Sequence, residues 1–276
     1  MLGKFDLLKM KEKNNKLTMV TAYDYPSAKT AEKAGMDMIL VGDSLGMVVL
    51  GYDSTVRVTV DDMLHHAKAA RRGAPNTYLI VDMPFMSYHV SLSSSLENAR
   101  RLFQETGCQA LKLEGASPET LELISNLEVA GVPVIGHIGL TPQSFNVLGG
   151  FKVQGKDQQA GERLLKEARL LEENGAAAVV LECVPDELAK IISRALSIPT
   201  IGIGAGKHCD GQVLVYHDLL QYGVDRLPKF AKGYGDFNTT AVDALASYIK
   251  EVKNNTFPDA DHSFLTKDKE SLPKMG

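Results

Sequence analysis

The stretch ALKLEGASPETLELISNLEVAGVPVIGHIG, residues 110–139, decides the fold. ALKLEG is a short apolar run of the kind that forms a buried strand, broken only by Lys112 and Glu114. The next segment, SPETLELISNLEVAG, predicts a helix. Ser117 is its N-cap and Pro118 stands at the first helical position, where a missing N–H costs nothing. VPVIGHIG (132–139) returns to the strand pattern. Strand, helix and strand in immediate succession make a crossover that joins two parallel strands.

The same unit recurs on both sides. LTMVTA (17–22) precedes PSAKTAEKAG, a helix with Pro26 at its start and Gly35 at its end. MDMILVGDS (36–44) leads through a longer excursion to the helix VDDMLHHAKAARRG, and TYLIVDMP (77–84) to a helix around 93–106. After residue 139 come a loop, the helix DQQAGERLLKEARLLEENG, and the strand AAVVLECVP (177–185). Another helix, IPTIGIGAG (198–206), QVLVYHD (212–218) and the helix TAVDALASYIKEVK complete the series. Eight continuous apolar strands, most followed by a helix, suit a parallel sheet buried on both faces. In this length they predict an α/β chain of the TIM (β/α)8-barrel class. A doubly wound open sheet fits less well, because no Gly-rich dinucleotide turn follows the first strand. We read 1–276 as a single barrel domain, with an N-terminal helical extension over about 1–16 and a polar C-terminal tail over about 255–276.

Hydrophobic residues make up 44% of the 276 and charged residues 23%, with a formal net charge of -4. That balance argues against a nucleic-acid partner, which a basic field would attract. No apolar run approaches the roughly 18 residues a membrane span needs, and no secretory signal is expected at the start. Cys108, Cys183 and Cys209 are widely spaced and form no CxxC pair, so neither a disulfide framework nor a thiolate zinc site is expected. A reducing cytoplasm suits them.

Polar residues gather where the strands end. Asp43 and Ser44 close the second strand, Asp82 the third, Lys112 and Glu114 the fourth, His137 the fifth and Glu182 the sixth. In a barrel these ends meet at one mouth, where active sites are built. Residues two apart on a strand share a face, so Lys112 and Glu114 point together. Asp43, Asp82 and Glu114 on adjacent strands would repel unless a cation joined them. All-oxygen ligands favour a hard ion such as Mg2+. Read singly, each acid could instead cap a helix or pair with an arginine. A Schiff-base role for Lys112 needs a neutral amine, which nearby acids oppose. A cation that binds a substrate carboxylate fits better. Glu182, after four apolar residues, suits a general base. His137 sits between glycines that leave room for a ligand, and a structural role is as fitting for it as a catalytic one. GIGAG (202–206) reads as a tight turn or a phosphate cradle. His65 and His66 are placed on an outward helix face, Cys183 in the core, and His217 and Asp218 at the end of strand eight.

Several long segments, in order, resemble the ketopantoate hydroxymethyltransferase family: TAYDYPSA, VGDSLGMVVLGYDST, VDDM, ALKLEG, VPVIGHIGLTPQS, GFKVQGK, LECVP and IPTIGIGAG…CDGQVLVYHD. The resemblance runs from about Leu17 to Ser263. It departs at Arg57, where the family commonly has proline. It implies a TIM barrel that moves a one-carbon unit from the co-substrate 5,10-methylenetetrahydrofolate to 3-methyl-2-oxobutanoate, giving 2-dehydropantoate on the way to pantothenate. It implies Mg2+ surrounded by Asp43, Asp82 and Glu114, some of them through water. Asp43, Ser44, Asp82 and Lys112 are then expected to contact the keto acid, Glu182 to be the proton acceptor, and His137 to lie near the new hydroxymethyl group. It further implies a homodecamer of two pentameric rings. The alternative is an Mg2+-dependent 2-oxo-acid lyase of the phosphoenolpyruvate mutase and isocitrate lyase type. Such enzymes typically carry a KKCGH-like loop, and no such run occurs here. A barrel that only binds a ligand would not need a base facing a metal.

Overall fold

Leu17 pairs in parallel with Gly211, and this pairing of the first strand with the last closes the sheet. The protein is seen in a computed structural model, in which residues 2–150 and 152–266 are described. Of the expected tail, 267–276 lie outside the described residues, as does Phe151 of GFKVQGK. Among the described residues eight strands form a closed barrel in chain order. They are β1 (Leu17–Thr21), β2 (Met38–Val41), β3 (Tyr78–Asp82), β4 (Ala110–Glu114), β5 (Val134–Gly139), β6 (Ala178–Glu182), β7 (Thr200–Ile203) and β8 (Gly211–Leu214). The chain is a TIM barrel, as the alternation predicts.

Period two along each strand divides the core in two. Leu17, Met19, Met38, Leu40, Tyr78, Ile80, Ile135, Val180 and Val213 form the cluster that fills the barrel. Their neighbours in sequence, among them Val20, Ile39, Leu79, Val81, Leu111, Leu113, Val179 and Leu181, pack outward in the second cluster. This second layer meets the helices, and the two layers are why the strands read as unbroken apolar runs.

The helices, in chain order, are α1 (Lys4–Glu12), α2 (Tyr25–Ala34), α3 (Leu45–Val48), α4 (Val60–Gly73), α5 (Leu92–Thr106) and α6 (Pro118–Val129). After them come α7 (Phe145–Leu148), α8 (Gln158–Glu173), α9 (Asp186–Ala195), α10 (Tyr216–Leu220) and α11 (Phe237–Lys253). Ser117 caps α6 by accepting from the Thr120 N–H, with Pro118 at the first position. Asp24 caps α2, which ends on Gly35 at φ 82°, a left-handed turn that glycine adopts without strain. Helix α1 buries Leu7 within the barrel-filling cluster, where Leu2 and Met10 pack beside it. Lys11 ties this helix down through the carbonyls of Ser193 and Ile198 and the carboxylate of Asp210.

Two local readings are corrected. QVLVYHD is strand only to Leu214, because pairing with β1 ends at Val20–Leu214 and the Tyr216 N–H turns to the Thr21 hydroxyl. His217 and Asp218 therefore lie in α10. His65 faces solvent, but His66 turns inward, its Nδ1 2.6 Å from the Tyr23 carbonyl. Helix α11 buries none of its residues against the rest of the described chain.

Candidate active site

Register builds the site. In parallel pairing, partners stand side by side and point the same way. Asp82 is the partner of Lys112, Glu114 of His137, and Gly139 of Glu182. Asp82, Lys112, Glu114, His137 and Glu182 thus line adjacent strands at the C-terminal mouth of the barrel, above the apolar filling. Asp43 and Ser44 follow β2, and the Asp43 N–H donates to Asp82 Oδ2 at 3.0 Å. Ser44 Oγ lies 2.9 Å from the Tyr23 hydroxyl. All seven residues singled out in the sequence come to this mouth.

The charged groups are close and buried. Lys112 Nζ is 3.0 Å from Asp82 Oδ1 and 4.0 Å from Glu114 Oε1. His137 Nδ1 is 3.4 Å from Glu114 Oε1, and its Nε2 is 3.2 Å from Glu182 Oε2. The Glu182 side chain is 15% exposed against 4% for Glu114, so among the acids paired to His137 it is the one open to the mouth.

These surroundings sort the protonation states. Burial, then the charges of Asp82 and Glu114, push the Asp43 carboxyl well above the usual range. Burial also raises Asp82, against the pull of Lys112. Burial would raise Glu114 as well, but His137, Lys112 and the Gln143 N–H hold it below its ordinary value. Burial alone would depress Lys112, yet Asp82, Glu114 and Asp43 together lift it, so it stays an ammonium. For His137, burial and Lys112 work downward, and Glu114 and Glu182 raise it to about 9. The 3.2 Å contact between Lys112 Nζ and His137 Nδ1 suits a neutral imidazole accepting from the ammonium. Carboxylates facing both ring nitrogens outweigh that single cation, and we assign the imidazolium.

The sequence reading missed three residues that organise this cluster. Gln143 Nε2 donates to Asp43 Oδ2 at 2.8 Å and to the Met83 carbonyl at 3.0 Å, while its backbone N–H donates to Glu114 Oε2 at 3.0 Å. The Tyr88 hydroxyl donates to Gln143 Oε1 at 2.9 Å and accepts from the Glu114 N–H at 3.2 Å. Tyr23, just past the end of β1, orients Ser44. Gln143 lies within LTPQS after β5, a polar loop residue that could have been found there. A cavity of about 180 Å³ beside Glu114 is lined by Phe85, Tyr88, His89 and Gln143.

Other expectations resolve into packing. Gly204 and Gly206 of GIGAG have positive φ, and a Cβ on them would run into Phe230 and Asp186 respectively, which fits a tight turn. Cys183 is half-buried rather than in the core. Burial, then the Glu182 charge, pushes its thiol up to about 11, which removes it as a nucleophile.

Among the described residues no group of three or more His, Cys, Asp or Glu side chains converges tightly enough to hold a metal ion directly. The Lys112 ammonium stands against Asp82 and near Glu114 instead. The donor chemistry still suits a hard cation. Four carboxylates face two cations, and Asp43 is raised by burial first and then by the charges of Asp82 and Glu114. An ion held partly through water, as Mg2+ commonly is, asks less convergence of the side chains.

The family model described as ketopantoate hydroxymethyltransferase matches residues 4–260. A 3-methyl-2-oxobutanoate hydroxymethyltransferase of Geobacillus sp. (strain WCH70) is 58% identical over 276 residues, covering 100% of this chain and 99% of that protein. One of Bacillus cereus (strain B4264) is 59% identical with the same coverage. Among solved structures, a 2,3-dimethylmalate lyase of the PEP mutase/isocitrate lyase superfamily superposes with a TM-score of 0.60 at 17% identity, covering 99% of this chain and 93% of that one. A phosphonopyruvate hydrolase complex with oxalate and Mg++ gives 0.60 at 14%, covering 95% and 93%. At such identities the structural likeness bears on the fold alone.

Proposed function

The chain belongs to the ketopantoate hydroxymethyltransferase family, and on that premise we propose how its barrel mouth performs the reaction. It transfers a hydroxymethyl group to 3-methyl-2-oxobutanoate, in pantothenate biosynthesis. The observation that carries the residue assignments is the pairing of Asp82 with Lys112, Glu114 with His137 and Gly139 with Glu182. It sets a held ammonium and an open carboxylate on either side of one imidazole.

Lys112 binds the keto-acid carboxylate, because Asp82 and Glu114 keep it charged. Ser44, oriented by Tyr23, offers a hydroxyl to the same substrate. Glu182 removes the C3 proton, help of a kind typically worth about 10²–10⁴-fold. His137 bridges Glu182 and Glu114, and so holds the base in place at the mouth. Asp43, Asp82 and Glu114 would hold Mg2+, in part through water, with Gln143 fixing two of them. When bound, that ion polarises the keto oxygen as a Lewis acid. The co-substrate is 5,10-methylenetetrahydrofolate: water adds to its methylene carbon, both C–N bonds break and tetrahydrofolate leaves. The C3 carbanion equivalent then attacks the freed formaldehyde-level carbon, and the resulting alkoxide takes up a proton to give 2-dehydropantoate.

The chain works as a homo-oligomer, which we take to be a decamer. Val242, Leu245 and Ile249 of α11 are exposed along one helix face, and apolar stripes of that kind mark contact surfaces. No helix among the described residues is long and apolar enough to cross a membrane. The free cysteines suit the cytoplasm. The deciding experiment follows methylenetetrahydrofolate-dependent loss of 3-methyl-2-oxobutanoate, with and without EDTA. Turnover that EDTA abolishes and Mg2+ restores is expected. Full turnover in EDTA would remove the metal from the reading, and no turnover in either condition would remove the co-substrate.

A further inference from the structure

Beside the barrel mouth a second cavity, of about 290 Å³, lies between the ends of β4 and β5 and the middle turns of α8. Its size is near the lower end of the roughly 300–1,000 Å³ typical of ligand pockets. Ile138, Leu148 and Leu164 give it apolar walls. Arg163 and Glu167 line it from α8, four residues apart and so on one face of the helix. Glu167 is half-buried, and its side chain has no hydrogen bond or ion pair within 4 Å among the described residues. Burial raises its carboxyl, which the Arg163 charge only partly offsets. A half-buried carboxyl at a cavity wall, with no protein donor on it, offers two acceptor oxygens to a ligand.

The cavity adjoins the strand that bears the proposed base. Gly139, in its lining, is the register partner of Glu182, and the Leu140 N–H donates to the Glu182 carbonyl at 2.8 Å. Any side chain at Gly139 would run into that carbonyl and into Val184. The absent side chain therefore allows the cavity wall and the base-bearing strand to approach closely.

We propose that this cavity receives the pteridine ring of the folate co-substrate, with Glu167 accepting from the ring's 2-amino group and N3–H and Arg163 donating to its 4-oxo group. The inference rests on the methylenetetrahydrofolate reading and adds where that molecule is gripped. The polar edge of a 2-amino-4-oxopteridine presents two donors and then an acceptor. A carboxylate beside a guanidinium presents two acceptors and then donors, the complementary order. The flat bicyclic ring suits the apolar walls. The strand that bears Glu182 pairs with this wall of the cavity at Gly139.

The test is calorimetric titration of the metal-loaded protein with tetrahydrofolate, and with pterin alone as a competitor. Wild type is expected to bind both. Glu167→Gln, which sets an amide N–H₂ against ring donors, is expected to weaken tetrahydrofolate at least tenfold, and Arg163→Ala at least threefold. The dissociation constant of the keto acid is expected to move less than twofold in both. The thermal midpoint without ligand checks the fold, and Arg163→Ala, at an exposed position, carries the test if Glu167→Gln does not fold. Tetrahydrofolate affinities within twofold of wild type in the folded variants overturn the proposal while the co-substrate reading stands. A wild type that binds no tetrahydrofolate overturns both.

Discussion

Lys112 Nζ lies 3.0 Å from Asp82 Oδ1, and the two residues are register partners across β3 and β4. The pair is almost wholly buried, with side-chain exposures of 6% and 3%. Its desolvation cost is offset only while both members are present. Lys112→Met leaves Asp82, Glu114 and Asp43 without their ammonium. Removing one partner of a buried pair typically costs about 3–5 kcal/mol, and a loss of that size is expected in urea unfolding. A variant as stable as wild type would mean that Asp82 is already protonated. Because Lys112 is held charged, borohydride with keto acid is expected to leave no adduct on it, read by intact mass. A trapped adduct would place the chemistry in the Schiff-base class.

Glu182 is the partly open acid of the cluster, held 3.2 Å from His137. Glu182→Gln keeps its shape and removes its basicity. Keto-acid binding is expected to persist while exchange of the C3 proton into deuterated water slows by about 10²–10⁴-fold. Proton NMR of the substrate reads this directly, and exchange at the wild-type rate would assign the base elsewhere.

Asp43 carries the repulsion of the site, since burial, Asp82 and Glu114 all raise its pKa. Asp43→Asn removes a strained charge and keeps an oxygen for the Gln143 amide. Without divalent ions the variant is expected to melt at or above the wild-type temperature. Saturating Mg2+ is expected to stabilise wild type by about 2.7 kcal/mol at a hundred times its dissociation constant, and the variant much less. Equal Mg2+ responses in a melting series would remove Asp43 from the metal site.

His137 has a folded pKa of about 9 against an ordinary 6.5. Burial and Lys112 oppose its charge, and Glu114 and Glu182 more than compensate. A folded pKa raised above the unfolded one gives stability that is complete below about pH 6.5 and is lost as pH rises through about 9. In metal-free protein the urea midpoint is therefore expected to fall across that window, and in His137→Asn to lose this slope. A wild-type profile flat from pH 6 to 10 would show a neutral imidazole throughout.

Leu245 and Ile249 lie on the uncovered face of α11. Leu245→Glu together with Ile249→Glu is expected to lower the mass measured by light scattering, with the helical content retained. An unchanged mass would put the subunit contact on another surface.

How far local rules reach is visible residue by residue. Ser117 and Pro118 at the start of α6, and Pro26 and Gly35 around α2, were legible because caps depend on only a few neighbouring residues. The common face of Lys112 and Glu114 was legible because alternation along a strand is geometry of one segment. The extent of β8 was not. Val215 and Tyr216 suit a strand, but the partner strand had run out and the chain turned into α10. Long-range partners were equally hidden. Gln143 grips Asp43 across 100 positions of chain, and Tyr88 reaches Glu114 across 26.

The order of elements, the barrel class and the identity of the acids and the lysine at the strand ends could be read from the chain, since each follows from patterning within a segment. Barrel closure alone chose which side chains became neighbours. Register set Asp82 against Lys112 and Glu114 against His137, and that proximity, not residue type, raises the ammonium and the imidazole, while burial, then the charges of Asp82 and Glu114, lift Asp43 out of the ordinary carboxylate range. Electrostatic energy depends on distance and on the water removed between charges, and neither quantity exists until the strands have paired.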